Sequence, residues 1–284
     1  MNSTVEPSFA PAIDGHTHLM PDRLMRAIRD ALTEQAGWTF EHPTSREGME
    51  REFRDAGVER YFALPYAHKP EMAAELNEWV LTQAAESAMI VPFATVHGDD
   101  DVEGVVREAF EAGARGLKFQ CPVQKCGPAD PRLDPAFALA AEYDKPILFH
   151  AGTAPLYEDN PHVGAAQFEQ FLDSYPDVRA ACAHMGAFET EKFLSLVHEH
   201  ENAFLDTSFA MSTEASRYVG STLEIETDTL ESCSESIFYG SDYPNLPYPY
   251  EAERAGVLEY DLSASASRDI FFRTAERFLG ERSG

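Results

Sequence analysis

Asp14-Gly-His16-Thr-His18 follows the apolar pair Ala12-Ile13, and the chain returns to the same theme in Phe149-His150, Ala183-His184 and Gly240-Ser-Asp242. Side chains two residues apart on a strand point to one face, so the imidazoles of His16 and His18 reach a common point. The later histidines and the aspartate each close a short apolar run, which is where a strand presents a residue at its end. Placed this way, these residues read as a dispersed metal site. A lone HxH carries little weight, because most such pairs are surface or hydrogen-bonded core histidines. The repeated strand-end context supplies the weight. Imidazole and carboxylate together suit Zn²⁺, Mn²⁺ or Fe²⁺ better than Ca²⁺ or Mg²⁺.

Outward from this stretch, β-rich runs alternate with helix-like segments, the pattern of βα units around a parallel sheet. Eight strands are predicted, over 11–14, 60–64, 89–95, 116–119, 146–150, 178–183, 203–207 and 236–240. Helices are expected around 24–35 and 46–56, over 71–86, 102–112, 135–142, 165–174 and 190–198, and near 212–231. A last helix over 265–279 carries Ile270, Phe271, Ala275 and Phe278 at helical spacing before Gly280. Ala56-Gly-Val58 and Ala112-Gly-Ala114 supply a glycine helix stop ahead of a strand. The expected fold is α/β, a TIM (β/α)₈ barrel of metal-dependent hydrolase type, as one domain over residues 1–284. In such a barrel the carboxyl ends of the strands line the active site, and His16, His18, Lys118, His150, His184 and Asp242 all fall there.

Composition narrows the partners. The chain has 22 basic and 49 acidic residues, a formal charge of −27, and only five lysines. Such a surface repels nucleic-acid phosphates and anionic membranes, so the expected partner is a small-molecule substrate. The acidity without apolar depletion suggests a halophilic protein. No run approaches membrane-spanning length, and the first eight residues lack a basic start with an apolar stretch, which points to a cytoplasmic protein. Cys121, Cys126, Cys182 and Cys233 form no CxxC pair, so no disulfide framework is expected. A homodimer is left open.

HxH on the first strand, Gly116-Leu-Lys118-Phe on the fourth, Phe149-His150 on the fifth, Ala183-His184-Met-Gly186 on the sixth and Tyr239-Gly-Ser-Asp242-Tyr-Pro244 on the eighth resemble the amidohydrolase superfamily. More narrowly they resemble its amidohydrolase 2 branch, the aminocarboxymuconate semialdehyde decarboxylase-like enzymes. The resemblance implies one divalent metal, usually zinc with Mn or Fe as alternatives, held by His16, His18, His150 and Asp242. It implies His184 as the acid or base that moves the proton, or else as a residue orienting Asp242. Asp242 stands either as ligand or as general base. For Lys118 three readings stay open: contact with an anionic substrate group, structural packing, and carbamylation as in binuclear relatives. Asp14 reads as a core or supporting polar residue.

Around the rim, His68 and His97 follow the second and third strands and are candidates to touch substrate. Arg132, Tyr157 and Tyr243 are candidates for gripping a carboxylate or lactone oxygen, arginine because its fork is bidentate. His198 and His200 repeat the HxH spacing without an apolar strand before them and read as surface. The leading function is hydrolysis of a small carboxylated or cyclic ester or amide by metal-activated water. The alternative is a metal-dependent non-oxidative decarboxylase, with His184 or Asp242 delivering a proton to carbon. A third reading, an inactive barrel serving as a binding protein, is opposed by the retained ligand set.

Overall fold

The computed structural model describes residues 11–154, 160–220, 223 and 225–281. Eight parallel strands carry it: β1 Ala12–Thr17, β2 Val58–Ala63, β3 Ile90–Pro92, β4 Leu117–Phe119, β5 Ile147–Phe149, β6 Ala180–Cys182, β7 Ala203–Asp206 and β8 Ile237–Phe238. All eight expected strands are present, and each is followed by at least one helix. β1–β2–β3 form one ladder and β4 through β8 another. Hydrogen bonds at the ends of the strands join the two. Lys118 N donates to the Ala94 carbonyl at 2.8 Å beside β3, and Gly15 N donates to the Tyr239 carbonyl at 2.8 Å between β1 and β8. The result is the expected TIM barrel.

Alternation along each strand sorts the side chains between two cores. Ile13, Phe62, Leu148, Ala181, Phe204 and Phe238 pack together inside the barrel, whereas Ala12, Tyr61, Phe119, Phe149 and Leu205 pack against the helices. Lys118 lies opposite Leu148 in the β4–β5 register, between Leu117 and Phe119 of the outer core. The same alternation therefore turns its amine inward.

The last helical run seals the end opposite the strand tips. Phe278 stacks on Phe238 at 5.1 Å and sits 5.4 Å from Phe204, so its ring closes the inner core. Arg60 near the start of β2 pairs with Glu281 and Glu276, and Arg179 just before β6 donates to the Phe278 carbonyl at 2.8 Å. Where the sequence predicts a single helix over 265–279, the run divides into Ala264–Arg268, a π turn over Asp269–Arg273, and Thr274–Phe278. The wider turn frees a carbonyl, and Ile270 uses it to accept from Tyr239 N at 2.7 Å, tying the helix to the strand it follows.

The region near 212–231 likewise contains two short helices, Thr213–Val219 and Thr227–Cys233. A helix over Glu251–Leu258 was not expected, because its buried positions include Glu253 and Arg254 and break the apolar pattern. Among the described residues no helix is long and apolar enough to cross a membrane.

Candidate metal centre

His16 and His18 stand at the carboxyl end of β1 with their rings edge to face, centroids 5.2 Å apart. Each uses Nδ1 to donate to an oxygen of the scaffold. His16 Nδ1 lies 2.8 Å from Asp206 Oδ2, and His18 Nδ1 lies 2.8 Å from the Leu64 carbonyl. Because neither acceptor has a proton to give, both imidazoles carry hydrogen on Nδ1 and direct the Nε2 lone pair into the site.

Both lone pairs converge on Asp242. Its Oδ1 is 3.0 Å from His18 Nε2 and 3.5 Å from His16 Nε2. In this tautomer the facing atoms are all acceptors, and His16 Nε2 is buried with no hydrogen-bond partner. Acceptors at such distances need positive charge among them, and ligand atoms of His16, His18 and Asp242 all lie within 4.8 Å of one another. The trio therefore fits one divalent ion with nitrogen and oxygen ligands.

The charge states agree. Burial, followed by the field of Lys118, holds His16 well below the usual imidazole range, in the neutral form that binds metal. Burial would push Asp242 up, but the close surroundings of His18, His16 and His184 outweigh it and hold the carboxyl at about 2, in the ionised form that a cation needs.

Backbone strain accompanies this geometry. Asp242 (φ 69°) and His184 (φ 58°) both occupy the left-handed region, which costs a side-chain-bearing residue about 1–3 kcal/mol. Hydrogen bonds hold them there: Asp242 N donates to the His16 carbonyl at 2.8 Å, and His184 N donates to Asp206 Oδ1 at 3.1 Å. Asp14 supports the same junction, its carboxylate accepting from Ser241 N, Ser241 Oγ, Tyr250 OH and His16 N. Burial lifts Asp14 to about 7 against those four donors.

His184 and His150 complete a row of rings. His184 stacks 5.1 Å from His16 and meets His150 at 4.6 Å. With its Nδ1 donating to the Ser208 carbonyl at 2.9 Å, His184 presents Nε2 as the basic nitrogen, 3.2 Å from His150 Nδ1. His150 thus stands beside His184 and Gln120, whose Nε2 is 3.0 Å away, and lies outside the tight cluster of His16, His18 and Asp242. Burial first, then the charges of His184 and Lys118, push the His150 imidazole well below its usual range. Asp206 and Ser208 were not singled out in the sequence, yet they join the row from beneath. Ser208 Oγ donates to Asp206 Oδ1 and lies 3.1 Å and 2.9 Å from Nδ1 of His16 and His184.

The model of the family described as amidohydrolase matches residues 13–280. The chain belongs to the amidohydrolase family. No curated protein matches it. Among solved structures, an uncharacterised TIM-barrel protein of Bordetella bronchiseptica superposes with a TM-score of 0.72 at 17% identity, over 95% of this chain and 99% of that one. A 5-carboxyvanillate decarboxylase of Novosphingobium aromaticivorans, complexed with manganese and 4-hydroxy-3-methoxy-5-nitrobenzoic acid, gives 0.61 at 14% identity over 97% of each chain. A probable 2-pyrone-4,6-dicarboxylic acid hydrolase of Acinetobacter baumannii, with citric acid bound, gives 0.64 at 12% identity, over 95% of this chain and all of that one. At these identities the likeness is one of fold.

The remaining candidates of this amidohydrolase are placed unevenly. Lys118 is fully buried below the site, with no hydrogen-bond partner for Nζ. Burial pulls its ammonium down to about 8, although Asp206 and Asp242 oppose the shift. Arg132 lies at the surface, its fork taken by Asp130 at 2.6 Å and Asp99 at 2.7 Å. Tyr243 is buried and donates to Glu52 at 2.9 Å, turned away from the cavity. His68 is exposed and His97 buried, and neither lines the cavity. Tyr157 lies outside the described residues. His198, read as surface, is exposed but reaches the cavity's outer lining, 3.2 Å from Cys233 Sγ.

Proposed function

We propose that the protein is a metal-dependent hydrolase of small esters, lactones or amides. The observation that supports this reading is the convergence of two Nδ1-anchored histidines on the ionised carboxylate of Asp242. His16, His18 and Asp242 would hold the divalent ion, zinc or else manganese or iron, which when bound would supply Lewis-acid polarisation of a carbonyl oxygen and a lowered pKa for water.

The chain's own groups supply the rest. Asp242, with one oxygen between the imidazoles, takes the proton that the attacking water loses. His184, whose Nε2 lone pair is free because Nδ1 donates to Ser208, receives that proton by way of Asp242 and passes it to the leaving oxygen or nitrogen, so both groups end the cycle as they began. His150 and Gln120 border the cavity beside it and present polar atoms to the substrate carbonyl. Lys118 acts from below, its positive charge offsetting Asp206 and Asp242 without touching the substrate.

A second reading, non-oxidative decarboxylation, draws on the apolar cavity wall. A carboxylate stripped of hydration there is destabilised more than the transition state in which its charge spreads, and His184 or Asp242 would then protonate the carbon. Turnover of a lactone, ester and aromatic-acid panel in H₂¹⁸O by the zinc- or manganese-loaded protein separates the two. Hydrolysis places one ¹⁸O in the product acid. Release of CO₂ with no incorporation would replace the first reading by the second.

A further inference from the structure

The cavity above the metal centre has a volume of about 880 Å³, at the upper end of small-molecule sites. Its polar catalytic groups cluster at one end, where His18, His150, His184, Gln120 and Asp242 meet. Beyond them apolar side chains make up much of the wall. Ile28 and Leu32 come from the helix Asp22–Ala36, and Leu194 from the helix Thr190–Glu199. Trp38 stacks on Phe209 with centroids 5.1 Å apart and planes 13° from parallel, and Tyr218 meets Trp38 edge-on at 6.0 Å. This makes a broad aromatic face for a hydrocarbon or ring.

Charge restricts the guest further. Among the described lining residues the one lysine or arginine is Lys192, and its Nζ is already 2.8 Å from Glu189. Glu191 and Glu226 add negative charge to the same wall, in a chain whose formal charge is −27. A distal carboxylate on the substrate would lose hydration, find no free cation, and face a negative field. Each methylene laid along the wall, by contrast, raises affinity roughly fourfold if fully buried.

We infer that the substrate is a lipophilic molecule with one metal-binding head at the histidine end and a long or ring-bearing body that carries no distal negative charge. The inference rests on the reading of His16, His18 and Asp242 as the reacting end. Its test does not require turnover.

Binding of butanoate, decanoate and decanedioate to the zinc-loaded protein is measured by calorimetry. Decanoate is expected to bind at least tenfold more tightly than either of the others. Leu32→Lys, which places a cation on the apolar wall, is expected to shrink the gap between decanoate and decanedioate, while Leu32→Met keeps it. Equal or tighter binding of decanedioate by the wild type, or affinity independent of chain length, would overturn the inference. If decanoate is preferred while no decanoyl ester or lactone is hydrolysed, the selectivity stands and the hydrolase reading falls. Hydrolysis confined to dicarboxylated esters would do the reverse.

Discussion

Asp206 Oδ2 accepts a hydrogen bond from His16 Nδ1 at 2.8 Å, so a buried carboxylate at the end of β7 decides which nitrogen of a β1 histidine is available to a metal. Its other oxygen accepts from the backbone of His184 and from Ser208. One side chain thus aligns two of the four histidines. Asp206→Asn keeps the shape but offers an amide in place of a charged acceptor. Metal affinity is expected to fall by about 10- to 100-fold, as for other losses of a carboxylate behind a ligating histidine. Competition with a fluorescent zinc chelator measures it, and unchanged affinity would remove Asp206 from the account.

Metal removal should cost stability as well as activity. The facing acceptors of His16, His18 and Asp242 are left without their cation in the apoprotein, and an ion that binds only the folded chain adds about 2.7 kcal/mol when present at 100 times its Kd. Chelation is expected to lower Tm, and Zn²⁺ or Mn²⁺ to restore it, with His18→Ala insensitive to both.

Glu253 gives the fold a pH dependence. Burial raises its carboxyl to about 8, although Tyr248 and the backbone N–H of Phe209 donate to it. Between pH 4.5 and 8 the folded chain keeps a proton that the unfolded chain has released, so stability contributed by this group falls as pH rises through that window. Glu253→Gln removes the proton exchange. Relative to the wild type it is expected to gain about 1 kcal/mol for each pH unit climbed in the window, read by urea denaturation from pH 5 to 9. Parallel stability curves would contradict the assignment.

Gly15 sits where β1 presses on β8. A Cβ there would lie 2.3 Å from the Phe238 ring, inside the sealed barrel core, so the strand or the ring must move. Gly15→Ala is expected to destabilise the protein by about 1–3 kcal/mol and, because His16 is the next residue, to weaken zinc binding too. Loss of stability with zinc affinity intact would separate the core from the site.

Arg132→Ala tests the opposite expectation. Its guanidinium is held by Asp130 and Asp99 at the surface, where such pairs contribute about 0–1 kcal/mol. kcat/KM is expected to stay within about twofold of the wild type, and a hundredfold loss would bring the arginine into the site.

The barrel was legible because its signal is local: an apolar run, a polar residue at its end, then a helix. The π turn and the helix Glu251–Leu258 were not, since one depends on a hydrogen bond to Tyr239 and the other buries Glu253 against Tyr248. Asp206 obeyed the strand-end rule, closing Ala203-Phe204-Leu205, but an aspartate after a strand reads just as well as a turn residue. Ser208 carries no mark of a metal site, because beyond Asp206 its partners His16 and His184 come from distant parts of the chain. Position at the rim drew attention to Arg132, Tyr243 and His68 without revealing orientation. Asp130, Asp99 and Glu52 engage the first two, and only coordinates disclose such partners.

His16 and His18 belong to the first strand and Asp242 follows the last, while Phe278 plugs the far end of the cylinder. A ribosome therefore releases the histidines long before the carboxylate that completes their site. Until β8 emerges and docks beside β1, the nascent polypeptide holds only half a chelate, and a protease cut in any intervening loop of an unfolded chain would separate the halves for good. An ion bound at this candidate site would accordingly report that the strand carrying the last ligand has been made and has docked.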